Sequence, residues 1–411
     1  MFPILLHEDV VYFKNVSFED IHVNDIIIVK TNRTYVTHRV IYIGKNHLIT
    51  KGDNNQNVDP LTRKENIIGK VYKIKRNEKF LHPDTIYLLQ STRYFDAITK
   101  CIQNLNEKKV PYVLLKGLIL HLYFSKSHPR RRYLDYDILV RYEDFHTIEK
   151  ILRALGYSKR DDPISPLQKS LLDKPIEVTF IQDDPNFPIA IDVHFEPVFM
   201  MTQIGRLDEL YKQANIDEMR KCFFKEKEII RIHNFSYQIL SSSHLIVYLA
   251  LHFFHHNFIG IHRLELLDAV IRKIPPNNKR VIWTETIQFI HDFQLESFVY
   301  GSFITLRKYF QTPLPKNFMS AFSPKRRQKA YVHTYFRSSL VFESWGRLRE
   351  GKQLFINLFY LSPSPLLLKV RVFLKPIVIY MVLWSIYAVI SRAILFKIKT
   401  WKKALEVLIN Q

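Results

Sequence analysis

Two aspartates, Asp135 and Asp137, stand one residue apart in the run DYDILV, and a third, Asp192, lies among apolar neighbours in IAIDVHF. Alternate residues of a strand point to one face, so the first two carboxylates project together, about 7 Å apart along the chain. Like charges that close repel unless a cation sits between them. Mg²⁺ meets that demand, being held by a few carboxylates together with substrate phosphates; Mn²⁺ is the alternative ion. Three acids on adjacent strands suit a two-metal clamp on the attacking and leaving oxygens of phosphoryl transfer. A bare DxD is more often a solvent-facing strand edge, so the elements around it must decide.

Those elements read as an α+β chain in four parts. Residues 1–76 carry short β-branched runs (DIIIVK, YVTHRVIYIG, HLITKG, IIGKVYKI) separated by turn clusters, which predicts a small all-β module. Such a module is too small to bury much core alone. Residues 77–235 form an α/β stretch. It opens with a helix over 84–106, whose apolar positions Ile86, Leu89, Tyr94, Ile98, Ile102 and Leu105 recur at helical spacing. Then come VLLKG, a short helix at 118–124, a basic loop SKSHPRRR, the DYDILV strand and a helix ending at LRALGY with Gly156 as its cap. IEVTFI and IAIDVHF read as paired strands. From about Tyr237 to residue 365 the pattern is helical, with LIVYLALHFFHH and HRLELLDAVIRK as two helices of an accessory bundle.

Lys116-Gly117, seventeen residues and then Asp135-Tyr136-Asp137-Ile138-Leu139-Val140 resemble the signature of the uncharacterised nucleotidyltransferase family within the polymerase-β-like superfamily. Arg131, four residues before Asp135, occupies that family's arginine position. LRALGY and IDVHF are similar to its later segments, with Asp192 as third carboxylate. The passage with His252, His256 and Asp268 resembles its histidine-containing helix. The resemblance covers roughly residues 80–375. It implies a polymerase-β-like fold and transfer of a nucleotidyl group from an NTP to an acceptor, a small molecule or a peptide. It also implies metal ligation by Asp135, Asp137 and Asp192, and nucleotide binding by Lys116, Gly117 and Arg131. One departure stands out. The wider superfamily has a Gly-Ser or Gly-Gly turn, whereas Leu118 follows Gly117 here, which leaves phosphate to backbone N–H groups at the helix start and to Lys116. His252, His255 and His256 lack an obvious further ligand, so a structural or substrate-contacting role is expected rather than a metal site.

The N-terminal module resembles type I signal peptidases of the histidine-using kind, through His38-Arg39-Val40, Lys51-Gly52-Asp53-Asn54-Asn55, Asp59 and Gly69-Lys70-Val71. The resemblance implies His38 as general base, oriented by Asp53 or Asp59. The serine of that family precedes a Met-x-Pro, and this chain opens Met1-Phe2-Pro3. No peptidase activity is therefore expected of the chain as given. A serine endopeptidase whose nucleophile lies upstream is the alternative, and a non-catalytic protein that docks a peptide or membrane is a second.

The formal net charge is +21, from 60 Lys and Arg against 39 Asp and Glu, which attracts polyanions without choosing among nucleotide, nucleic acid and an anionic membrane surface. Two cysteines, Cys101 and Cys222, exclude a disulfide framework and point to a reducing, cytoplasmic setting. No signal peptide is apparent at the N-terminus. Within residues 366–411, Ile377 to Ile390 is apolar, and from Lys369 onward eight Lys and Arg face one acid, Glu406. A spanning helix needs about 20 apolar residues, which this stretch reaches only by including Arg392. An interfacial or packed helix fits better, with association to a membrane surface as the expectation.

Overall fold

The computed structural model describes residues 4–376 except 33, 54, 56–57, 126–128, 130–132, 134, 161–175, 183–187, 198–206, 337–339 and 343–346, together with 378–379, 382–383 and 387. The fold is α+β, as its sequence patterns predict: an all-β region, a mixed middle and a helical C-terminal part.

The N-terminal sheet is antiparallel. Strands β1 (Val10–Lys14), β2 (Ile26–Lys30), β3 (Tyr35–Ile43), β4 (His47–Lys51), β5 (Thr62–Arg63) and β6 (Ile67–Arg76) lie in the order β1-β6-β2-β3-β4-β5, and β7 (Lys79–Leu81) also pairs with β6. The two-residue period of β2 sends Ile26 and Ile28 into one small cluster and Ile27 and Val29 into another. Neither cluster is large, and both faces of the sheet borrow cover. Ile86 and Tyr87 of helix α1 (Pro83–Glu107) complete the first cluster. On the other side Tyr42 packs at 4.9 Å and 5.6 Å from Phe342 and Tyr309 of the helical region. The β-module is thus docked, not free.

Helix α1 starts where His82 accepts a hydrogen bond from the Asp84 amide and Pro83 fills the first turn. Its buried stripe runs through Tyr87, Gln90, Tyr94, Ile98 and Leu105, while Leu89 is 57% exposed, although its spacing predicts burial.

The second sheet has the order β10-β11-β12-β9-β8-β14-β13. Its strands are β8 (Tyr112–Leu114), β9 (Asp135–Val140), β10 (Ser158–Lys159), β11 (Glu177–Gln182), β12 (Ile189–His194), β13 (Lys227–Ile232) and β14 (Phe235–Leu240). Helices α2 (Leu118–Ser125), α3 (Phe145–Ala154) and α4 (Gln213–Lys225) connect them. Central β8 and β9 are almost wholly buried. The helical pattern expected from Tyr237 begins only at Ser242, because KEIIRI and FSYQIL form a hairpin, with Tyr237 and Ile239 turned inward. The hairpin joins the sheet through Ile239, opposite Leu114.

Helix α5 (Ser242–His255) runs through the centre of the molecule, with every residue from Ser243 to Phe254 buried. A helix apolar on all sides belongs inside a large core, and α5 is flanked by α6 (Glu265–Lys273), α7 (Lys279–Asp292) and α8 (Glu296–Thr305). No helix among the described residues is long and apolar enough to cross a membrane; most of the apolar stretch at 377–390 and all of 391–411 lie outside them.

If Tyr42 fastens the β-module, Tyr42→Ala should cost about 2 kcal/mol, roughly half the penalty for a fully buried aromatic. Chemical unfolding together with faster proteolysis between residues 76 and 83 would register it, and an unchanged midpoint would refute the fastening.

Candidate metal and nucleotide site

Register, more than composition, assembles the three acids. Strands β9 and β12 run parallel with Asp137 opposite Asp192, and β11 runs antiparallel to β12 with Thr179 opposite Asp192 and Glu177 opposite His194. Asp135, Asp137 and Asp192 therefore share one face, and each offers a carboxylate oxygen within 4.8 Å of the others. Asp137 is only 3% exposed.

Charges this close need compensation, and two basic side chains stand beside them. Lys116 Nζ lies 2.7 Å from Asp137 Oδ2 and 3.1 Å from Asp135 Oδ2. His194 Nε2 lies 2.9 Å from Asp137 Oδ1, with Nδ1 3.5 Å from Glu177 Oε2. Burial works against ionisation of Asp137, but Lys116 and His194 outweigh it and hold the carboxyl far below its usual range. Burial also opposes the charge on Lys116, and the Asp137 and Asp135 carboxylates outweigh it, raising its pKa. His194 follows the same logic: burial opposes protonation, while Glu177 and Asp137 favour it and win.

Asp192 behaves differently. Burial, then the charges of Asp137 and Glu177, push its pKa up to about 7, against partial relief from His194 and the Thr179 hydroxyl, which donates to Oδ1 at 2.7 Å. The set fits a hard divalent cation. It offers three oxygen donors on one face, and the most buried of the three acids, Asp137, presents Oδ2 to Lys116 Nζ at 2.7 Å.

The turn beside the acids explains Gly117. Its φ of +109° is a conformation that a residue with a side chain adopts only under strain, and an added Cβ would stand 3.4 Å from the Tyr136 ring. This lets β8 pass directly into α2, whose first N–H groups follow Lys116 beside the carboxylates. Leu118 is fully buried, so its side chain serves the core.

Of the site residues expected from sequence, Asp135, Asp137, Asp192, Lys116 and Gly117 come together here. Arg131 lies outside the described residues. His252 and His256 lie one turn apart along α5 and its cap, with rings 4.8 Å apart and deeply buried. Sequence reasoning missed His194, Glu177, Thr179 and Tyr248. His194 was within reach, since it shares Asp192's face by the two-residue period. Tyr248 is buried, and its hydroxyl has no hydrogen-bond partner among the described residues. Burial, then the charges of Asp137, Glu177 and Asp135, keep that hydroxyl protonated.

A family model described as uncharacterised nucleotidyltransferase matches residues 86–311. The chain belongs to this family. The match spans the acids, the Lys116-Gly117 turn and helix α5. No curated protein and no solved structure matches the chain.

The family match begins beyond the N-terminal sheet, and a signal-peptidase-like fusion is not supported. Within that module His38 Nδ1 lies 2.6 Å from Asp59 Oδ2, which also accepts from the Thr50 hydroxyl at 2.6 Å. Asp53 does not reach this pair, because Arg39 holds it in a two-pronged ion pair at 2.7 Å and 2.5 Å.

Asp192 holds its proton up to about pH 7 in the folded metal-free chain, whereas an unfolded aspartate gives it up near pH 4. Its contribution to stability therefore declines as pH rises from 4 to 7 and stays low above. Asp192→Asn, still able to accept from Thr179, should melt higher than the wild type at pH 8 without divalent cation. An equal or lower melting temperature would contradict this. Mn²⁺ affinity of the wild type should weaken about tenfold per unit as pH falls below 7, since the ion displaces that proton.

Proposed function

We propose that the chain transfers a nucleotidyl group from an NTP to an acceptor hydroxyl or phosphate on a small molecule or peptide, with Mg²⁺ or Mn²⁺ as cofactor. The observation that carries this reading is the meeting of Asp135, Asp137 and Asp192 within 4.8 Å beside the Gly117 turn, in a member of the nucleotidyltransferase family. Divalent cations held by these carboxylates would stabilise the charge on the attacking and leaving oxygens.

The protein's own groups divide the remaining work. Asp135 and Asp137 supply the ligands nearest Lys116. Asp192 has the highest proton affinity of the acids whose shifts are resolved and takes up the proton of the acceptor hydroxyl. His194 is a positioning residue: its contact with Asp137 Oδ1 and its approach to Glu177 fix the Asp137 carboxylate. Gly117 lets the polyphosphate approach the backbone, and the N–H groups opening α2 face the negative charge. Lys116, already shared by two acids, balances the remainder.

The double variant Asp135→Ala, Asp137→Ala should lose NTP consumption by well over ~100-fold, beyond the loss typical of outer-shell changes, and should no longer bind Mn²⁺ in a paramagnetic resonance titration. Radiolabelled NTPs supplied with a cell extract would identify the labelled acceptor. Unchanged turnover and unchanged Mn²⁺ binding in the double variant would sink the assignment.

A further inference from the structure

Past helix α9 (Arg347–Leu361), Pro363 and Pro365 lead the chain into the short helix α10 (Leu366–Arg371). A 3-10 turn over Val372–Leu374 continues α10, and the extended backbone of Lys375 ends it before Pro376. One side of this segment is fastened to the body. Val372 and Val378 are fully buried in the main core, and the Ser364 hydroxyl donates to the Leu210 carbonyl at 3.2 Å. Lys369 Nζ donates to the Phe359 and Ser362 carbonyls at 2.9 Å and 2.8 Å. Lys375 Nζ pairs with Glu209 Oε1 at 2.8 Å.

The other side is apolar and exposed. Leu366, Val370 and Leu374 recur every four residues and share a face, which Leu367 widens. Leu367 and Leu374 are 73% and 77% exposed, and beyond Pro376 the exposed Ile379 and Leu383 repeat the same step. A surface helix of a globular protein normally turns such residues to the core and its charges to water. Here two lysines reach inward to carbonyls and a carboxylate while the leucines face out. The arrangement is fastened, so these leucines are presented and not merely frayed from an end. A contiguous exposed apolar patch of this kind marks an interaction surface.

The chemistry of the patch selects its partner. Its outward side chains are branched aliphatics, which insert among acyl chains but offer no flat ring for a nucleic-acid base to stack on. Positive charge accompanies them: Arg371 is exposed beside Val370, and in the sequence after residue 390 Arg392, Lys397, Lys399, Lys402 and Lys403 stand against Glu406. A second copy of a chain of net charge +21 would bring these basic groups against their like. An anionic lipid surface satisfies both features at once, taking apolar side chains below its headgroups and basic ones at them. We propose that the exposed face of α10, with Ile379 and Leu383, docks the protein on an anionic membrane surface. The inference is independent of the nucleotidyl-transfer reading and adds a site to the opposite end of the chain's sequence from the N-terminal sheet.

The test is co-sedimentation of the full chain with vesicles of phosphatidylcholine, alone or mixed with phosphatidylglycerol, and light scattering without lipid. The wild type should bind the mixed vesicles about tenfold more tightly than the neutral ones, and added salt should narrow the difference. Leu367→Glu with Leu374→Glu should weaken mixed-vesicle binding about tenfold or more, with the melting curve and Mn²⁺ binding as in the wild type. A charge-matched control, Leu89→Glu with Ile229→Glu, alters two exposed apolar residues of α1 and β13 and should bind the vesicles like the wild type. The docking face is overturned if the wild type binds neither vesicle or both equally, or if the control loses as much affinity as the α10 variant. It is equally overturned by a wild-type dimer that the α10 variant dissociates without losing vesicle affinity. A lower melting temperature of that variant with unweakened vesicle binding would instead assign the face to cover by the chain itself, and would overturn the proposal too.

Discussion

Holding three carboxylates within 4.8 Å is the constraint on which the rest of the structure depends. Like charges at that separation in a partly buried setting repel by several kcal/mol unless they are compensated. The fold compensates them from two sides. Lys116 reaches Asp135 and Asp137 from the turn after β8, and His194 reaches Asp137 from β12. Both contacts depend on strand register. A one-residue slip of β12 against β9 would turn Asp192 and His194 to the opposite face together. The apolar neighbours Ile191 and Val193, both fully buried, oppose that slip, since it would expose them. The core residues between the acids are thus what keeps the acids in place.

The same logic accounts for the turn at Gly117. Lys116 reaches the carboxylates only because the chain reverses immediately after it, with the Leu115 amide bonded to the Asp137 carbonyl at 3.0 Å and the His121 amide to the Gly117 carbonyl at 3.1 Å. A side chain at residue 117 would strain that reversal and press on Tyr136, whose ring is buried against Tyr94 at 5.7 Å. The carboxylates, Lys116 and the aromatic packing are therefore one connected unit.

How much of this was legible in the sequence depended on how local each determinant was. The acids, Lys116 and Gly117 were readable because a two-residue period and a fixed interval of seventeen residues are properties of the chain itself. Helix α1 and the cap at Gly156, with φ +85°, were readable for the same reason. Thr179 and Glu177 were not, since their roles arise from the pairing of β11 with β12. Strand β14 reads as helix from Tyr237 because Phe235 to Leu240 runs without a break into the apolar helix α5. What separates them is the pairing with β8, which no local pattern records. Leu89 shows the reverse error: its spacing is helical, yet α1 turns its buried stripe through Tyr87 and Gln90 instead.

The residue after Gly117 bears on how the site handles phosphate. A serine there would offer a hydroxyl to the polyphosphate, but Leu118 is fully buried and contributes to the core on which α2 rests. In the transferase reading, the anion-holding capacity lost at that position has to come from elsewhere. Backbone N–H groups at the start of α2 provide partial charge and direction but no full positive charge. Lys116 is divided between two carboxylates and has little to spare. Full charges must then come from side chains brought in by packing.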